Sequence, residues 1–468
     1  MIPRKTKLIC TLGPATCEAP AIRALMEAGA NVFRMNMSHA AHDWVRGVVA
    51  TVRAEAESLG IAASVLVDLQ GPSIRTGDVE GKLSLRKGDV VEFRNAALGP
   101  ESPVSVTTNY DGLHLDVSPG DTLLVDNGAL HFRIESVDDG RLLCAVLTEG
   151  EMGSRRHINL PGVRVNLPAL TEKDEADIAL AAEVGADFVA ISFVRDAGHV
   201  DLLRSKLRAL GSGAGVVAKI EDQEAVKNLA GIVAASDAVM VARGDLGIEV
   251  HLEELPIVQR AIVRECARIG RRVIVATHLL ESMGENPVPT RAEVTDVANA
   301  VFEQADAVML SGETSVGRYP VKCAEAIDRI ARRLEREPGA GYHAALELSS
   351  EKEFTVRSAV VLANSLDESA LIVFTARGVL ANCAAQLRPE RAPIFAFSPD
   401  PAVVRSLTMN RAVVPFRLDL SEDPEETLRR ALDLLRGRAL VSSGNPLVIV
   451  SDVLLPGFDD AAVLLRHA

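Results

Sequence analysis

The chain has 468 residues, of which 48% are hydrophobic and 24% charged, and carries a formal net charge of −14. That length exceeds one ordinary core, so two or three domains are expected, with the composition of a soluble globular protein rather than a disordered one. The acidic balance argues against nucleic-acid binding, which needs a basic surface; a protein of this charge that handles anionic phosphates must gather its arginines and lysines locally. Cys10, Cys17, Cys144, Cys266, Cys323 and Cys383 show no paired spacing and read as reduced core thiols. No apolar run approaches the roughly 18 residues of a membrane span, and residues 1–7 lack a signal-peptide apolar region, so a cytoplasmic protein without membrane association is expected.

From Lys7 onward, short apolar runs predict strands at 8–12, 32–37, 64–69, 188–193, 216–220, 238–242, 273–276 and 307–310. Amphipathic stretches predict helices at 21–28, 44–59, 172–184, 200–210, 224–235, 258–269, 291–304 and 319–335. Eight βα units in a row point to a (β/α)₈ TIM barrel. One interval breaks the rhythm. After Gln70-Gly71-Pro72 the next helix is delayed by about a hundred residues of short β-like runs with Gly, Asp and Asn turns, such as Gly88–Phe93 and Thr122–Gly128.

This interval reads as an inserted all-β lid domain, a small β-barrel over 71–166, leaving the third strand on the face where barrel active sites lie. The barrel then occupies 1–70 and 167–337. A composition shift at Pro338-Gly339-Ala340-Gly341 opens a C-terminal α/β layer domain over 338–468, with helices at 354–366, 379–387 and 427–436 and strands at 370–375, 393–397, 413–416 and 447–450.

Polar residues cluster where the barrel strands end. Lys219 and Glu221 alternate with apolar neighbours and so project to one face. Arg34, Asn36 and Ser38 share a face in the same way, with His39 following. Asp68 precedes Gln70-Gly71-Pro72-Ser73-Ile74-Arg75; the sixth strand runs into Arg243-Gly244-Asp245, the seventh into Thr277-His278 and the eighth into Ser311-Gly312-Glu313-Thr314. One such residue is ordinarily a solvated rim; six strands doing it together indicate a site. A lysine with two carboxylates, Glu221 and Asp245, supplies the groups needed to hold Mg²⁺ and to neutralise a phosphorylated anion.

The strings Met240–Glu249, Pro289–Val301 and Met309–Pro320, with the segments around Thr6–Ser38, Val67–Gly77, Lys219–Glu221 and Ala276–Met283, resemble the pyruvate kinase family over nearly the whole chain. The resemblance implies transfer of the phosphoryl group of phosphoenolpyruvate to ADP, giving ATP and pyruvate through an enolate. It implies Glu221 and Asp245 as ligands of Mg²⁺ (or Mn²⁺), Lys219 as the cation meeting the transferring group, and Arg34 as a phosphate ligand. Gly244 and Thr277 fall where the substrate carboxylate is received, Asp245 with Lys219 and Arg34 among the other substrate-binding positions, and Pro14, Asn36, His39 and Arg75 where nucleotide is contacted. Asn36, Ser38, Asp68 and the carbonyl of Leu69 map onto a monovalent-cation (K⁺) site. A homotetramer is implied as well.

Three positions depart from the family pattern. Ser73 stands where glutamate marks K⁺-dependent members and lysine K⁺-independent ones; with no lysine to replace it, the ion is expected to be needed. His278-Leu279 replaces Gln-Met. Thr375-Ala376-Arg377-Gly378 replaces a Thr-x-Ser-Gly phosphate loop, and no Gly-Thr-Thr-Asn segment follows, which points away from sugar-phosphate activation. Two alternatives remain at this stage: a metal-dependent 2-oxo-acid aldolase or lyase, which needs no lid, and a non-catalytic phosphometabolite-binding homologue, which predicts a damaged site.

Overall fold

A computed structural model describes residues 3–451 and 461–468. Eight parallel strands close a barrel: Lys7–Thr11, Val32–Asn36, Ser64–Asp68, Phe188–Ile191, Gly215–Ile220, Ala238–Ala242, Arg272–Ala276 and Ala307–Leu310. Each pairs with its sequence neighbours, and the first closes on the eighth through Lys7 opposite Ala307 and Cys10 opposite Leu310. The strands are buried on both faces, which is why they read as continuous β-branched runs without alternation. Inward residues such as Ile9, Leu66, Val217, Met240 and Ile274 fill the barrel, while outward ones pack beneath the surrounding helices.

The delayed third helix is Glu172–Glu183, started by a capping box in which Thr171 and Asp174 exchange hydrogen bonds. The helix expected at 224–235 is broken: Gln223–Lys227 ends at Asn228 and Leu229–Ala235 begins anew. The Asn228 side chain donates to Arg195 O at 2.8 Å, a long-range tie that helical periodicity cannot anticipate.

Residues between the third and fourth strands form a β-rich insertion with its own core around Phe93, Phe132, Leu123 and Val146. Its strands make a six-stranded sheet and a separate two-stranded ribbon. Residues 74–77 join the two edges of the larger sheet, through Thr76 opposite Thr108 and Arg75 opposite His157, so its strands run round the domain, while the short pair Leu83–Leu85 and Gly150–Met152 bonds only to itself. A one-turn helix, Leu113–Asp116, interrupts the all-β pattern.

The C-terminal unit is a five-stranded sheet, four strands parallel and the last, Ala462–His467, antiparallel at the edge. It covers the bottom of the barrel. Met409 enters the barrel interior and packs with Leu66, Phe188 and Ile274. Around it, Arg388 pairs with both oxygens of Asp306 at 2.6 and 2.5 Å, Arg405 with Asp187 at 2.7 Å, and Lys7 Nζ donates to Val413 O. No helix among the described residues is long and apolar enough to cross a membrane.

Candidate active site

The opposite, C-terminal mouth of the barrel carries the charged cluster. Strand alternation brings Lys219 and Glu221 together as expected: Lys219 Nζ lies 2.9 Å from Glu221 Oε1 and 3.4 Å from Asp68 Oδ1. Its hydrogen bond goes elsewhere, to Ser192 Oγ at 2.7 Å. Arg34 donates from Nε to Asp68 Oδ2 at 2.6 Å and from Nη1 to Thr11 Oγ1 at 3.0 Å. Glu221 Oε2 accepts from the Phe193 amide at 2.7 Å, at a residue held in the left-handed region with φ of 52°. Asp68 Oδ1 and Glu221 Oε1 are sealed from solvent inside the chain, and neither is aligned with any hydrogen-bond donor.

The electrostatics follow from that burial. Desolvation works to raise the Asp68 carboxyl, but Lys219 and Arg34 outweigh it and hold it below the usual range. Burial would likewise lower the Lys219 ammonium, yet Asp68, Glu221 and Asp245 raise it, so it stays charged. Glu221 goes the other way: burial pushes it up and Asp245 adds to this, against the pull of Lys219. Lys219 and Arg34 together cannot balance three carboxylates. A further positive charge is what the cluster lacks.

Beside it, the sixth strand ends at Ala242, and Arg243 begins a short helix over Arg243–Glu249 rather than extending the strand. Asp245 thus sits in a helical turn. Thr277, with φ of 67°, accepts from Gly244 N at 2.8 Å and donates to Ala276 O at 2.7 Å. Arg243, buried, fixes this corner: it donates to Asp296 at 2.6 Å, to Thr277 O at 2.5 Å and to Ala276 O at 3.2 Å. A Cβ on Gly244 would meet Thr277 and His278 at ordinary contact distances, so internal packing does not demand glycine there.

The four residues expected to ligate a monovalent cation are also neighbours. Asn36 lies opposite Asp68 in the ladder, Met37 N donates to Asp68 O at 2.9 Å, Asn36 Oδ1 accepts from Ser38 N at 3.2 Å, and Leu69 O accepts from Ser192 Oγ at 2.8 Å. Pro14 and His39 are exposed at the rim. Arg75 stands on the inserted domain, its Nε on Ser73 Oγ at 3.2 Å and its Nη1 on Arg155 O at 3.2 Å. None of Pro14, His39 and Arg75 touches the Lys219 cluster through a described hydrogen bond.

Sequence reasoning missed Ser192, Arg243 and His157. Ser192 was within reach, being a hydroxyl that follows the apolar run of the fourth strand, the pattern that revealed the others. Arg243 was seen as part of a strand end but not as the anchor of the Thr277 loop. His157 gave no signal, because it belongs to the inserted domain, far from any barrel strand in sequence.

A closed parallel barrel whose C-terminal mouth gathers a lysine, an arginine and three carboxylates beneath an inserted domain defines a barrel phosphotransferase. Known proteins agree and are more specific. Residues 3–324 match the family model of the pyruvate kinase barrel domain, and residues 353–459 that of the pyruvate kinase alpha/beta domain. The chain is 39% identical to pyruvate kinase isozyme G, chloroplastic, of Nicotiana tabacum, over 97% of this chain and 81% of that one. It is 39% identical to a pyruvate kinase of Geobacillus stearothermophilus, over 96% and 78% respectively. A crystal structure of a pyruvate kinase from Cryptosporidium parvum superposes with a TM-score of 0.94 at 31% identity, covering 99% of this chain and 96% of that one.

The chain belongs to the pyruvate kinase family. It is an enzyme that transfers the phosphoryl group of phosphoenolpyruvate to ADP, giving pyruvate and ATP in glycolysis. The aldolase or lyase and the non-catalytic readings are not favoured.

Proposed function

We propose that this transfer is carried out by the Lys219 cluster, with a division of labour set by which polar atoms are free. Lys219 meets the charge on the transferring phosphoryl group and on the enolate left behind. Arg34, already braced by Asp68 and Thr11, is oriented to bind the substrate phosphate. Thr277 and Gly244 receive the substrate carboxylate, Asp245 meets the substrate through the metal, and Thr277 with an adjacent water protonates the enolate. Glu221 Oε1 is the observation that carries this reading: a buried carboxylate oxygen that faces only the shared Lys219 ammonium, with no aligned donor, suits a hard cation that prefers oxygen ligands.

Glu221 and Asp245 would hold Mg²⁺ or Mn²⁺, and Asn36, Ser38, Asp68 and Leu69 K⁺. When bound, the divalent ion supplies positive charge opposite the phosphoryl oxygens. Pro14, Asn36, His39 and Arg75 contact the nucleotide, and 71–166 closes as a lid to exclude water. The region 338–468 serves oligomerisation, as a homotetramer, in the cytoplasm; nucleic acid and membranes are not partners.

A coupled assay for pyruvate from phosphoenolpyruvate and ADP, run with Mg²⁺ and with or without K⁺, tests the reading. Mg²⁺-dependent turnover that rises with K⁺ supports both metal assignments. Equal turnover without K⁺ removes the monovalent site, and turnover unaffected by chelation removes the role of Glu221 and Asp245.

A further inference from the structure

His157 lies on the return arm of the inserted domain, in an isolated antiparallel bridge with Arg75. Directly opposed residues of such a bridge carry their side chains on the same face, about 4.5–5.5 Å apart at Cβ, so His157 and Arg75 leave the domain from one face. The ring packs on Phe193, centroids 6.0 Å apart and tilted by 56°. It lines a cavity of about 350 Å³ whose other walls include Glu221, Pro72 and Phe193. The charges of Asp245 and Arg75 both reach the ring, while burial disfavours its protonated form.

A histidine kept only for packing has its nitrogens paired or sealed. Here neither ring nitrogen has a hydrogen-bond partner among the described residues, and neither is closed off from the cavity. Arg75 is in a similar condition, since Ser73 and Arg155 occupy Nε and Nη1 and leave Nη2 open. Two residues with unspent donors, paired in one bridge and facing the same side of the domain, suit one ligand with several anionic oxygens.

We propose that His157 contacts the phosphates of the accepting nucleotide, forming with Arg75 a two-residue clamp carried by the lid. This rests on the nucleotide role given to Arg75 above. The imidazole N–H donates one hydrogen bond to a phosphate oxygen, and the Phe193 ring fixes its direction. The substrate carboxylate and phosphate belong to Thr277, Gly244 and Arg34 on the barrel, so His157 distinguishes the two substrates.

The test compares wild type with His157→Ala and His157→Gln, the second retaining a side-chain donor. Expected are a rise of about tenfold in both KM and directly measured Kd for ADP in the alanine variant, the size of one hydrogen bond to a charged group. KM for phosphoenolpyruvate should stay within about twofold, and glutamine should recover most of the loss. Unchanged ADP affinity in His157→Ala, or equal shifts for both substrates, would overturn the proposal. ADP binding is measured without turnover, so a wild type that bound ADP yet made no pyruvate would count against the catalytic reading alone.

Discussion

The two ends of the barrel bury charge to opposite purposes. At the bottom, two buried carboxylates are fully answered: Asp306 takes two nitrogens of Arg388 plus the amides of Val273 and Arg411, and Asp187 takes Arg53, Arg405 and the Val65 amide. At the top, Lys219 faces Asp68, Glu221 and Asp245, and two carboxylate oxygens are sealed in without an aligned donor. Leaving a buried polar atom unsatisfied costs about 1–3 kcal/mol. Buried carboxylates met in full at one end and left short of donors at the other mark the second end as the place for a ligand.

The comparison breaks most sharply at Lys219. Lys219→Met should lower pyruvate formation by about a thousandfold or more, while the thermal melting curve stays near that of wild type; wild-type-like ATP formation would remove its role. Glu221→Gln should act through the same cluster, lowering turnover by roughly a hundredfold and raising the Mg²⁺ concentration needed for half activity. A titration with Mg²⁺ at saturating substrates reads that shift.

Arg388→Met tests the other end. Leaving Asp306 buried with a lost partner should cost about 3–5 kcal/mol of stability, seen by urea unfolding, with both KM values unchanged at temperatures where the protein is folded. Asp306→Asn combined with Arg388→Met should recover part of that loss, because no lone buried charge remains.

Lys7 gives the smallest effect and a sign. Burial lowers its pKa from 10.5 to about 7, with Arg4 and Arg411 adding to the shift against Glu335 and Asp306. The unfolded chain keeps this proton up to about 10.5 while the folded chain holds it only to about 7, so between those values the unfolded state binds more protons and stability rises with pH. Lys7→Met should gain about 1–3 kcal/mol near pH 7 and flatten that slope. A slope unchanged by the substitution would place the titrating group elsewhere.

What could be read from residue order tracks how local its cause is. The barrel strands were legible because strands covered on both faces are apolar throughout, and Ala238–Ala242 and Ala307–Leu310 fall where expected. Lys219, Glu221 and Asp68 meet as expected, since alternation at a strand end is itself a local rule. Long-range ties stayed hidden. Asn228, at the helix break, is tied to Arg195 O, the closing edge strand Ala462–His467 pairs with Pro446–Ser451 only through the sheet, and the bridge partner of His157 lies 82 positions upstream at Arg75. The helix Arg243–Glu249 after the sixth strand gave no signal, because the chain turns into it at once with no side-chain cap on Ala242 to announce it.

Met409 gives the C-terminal domain a second meaning. The barrel's own strands do not supply the floor of its interior; a methionine from more than seventy residues past the last barrel helix does. A chain cut after Leu334 would therefore be an unfinished barrel, with a side-chain-sized hole beneath Phe188 and Ile274 and with Asp306 stripped of Arg388. The boundary that a sequence scan draws between two units is, physically, a seam inside one core, and expressing the barrel by itself means redesigning its floor first.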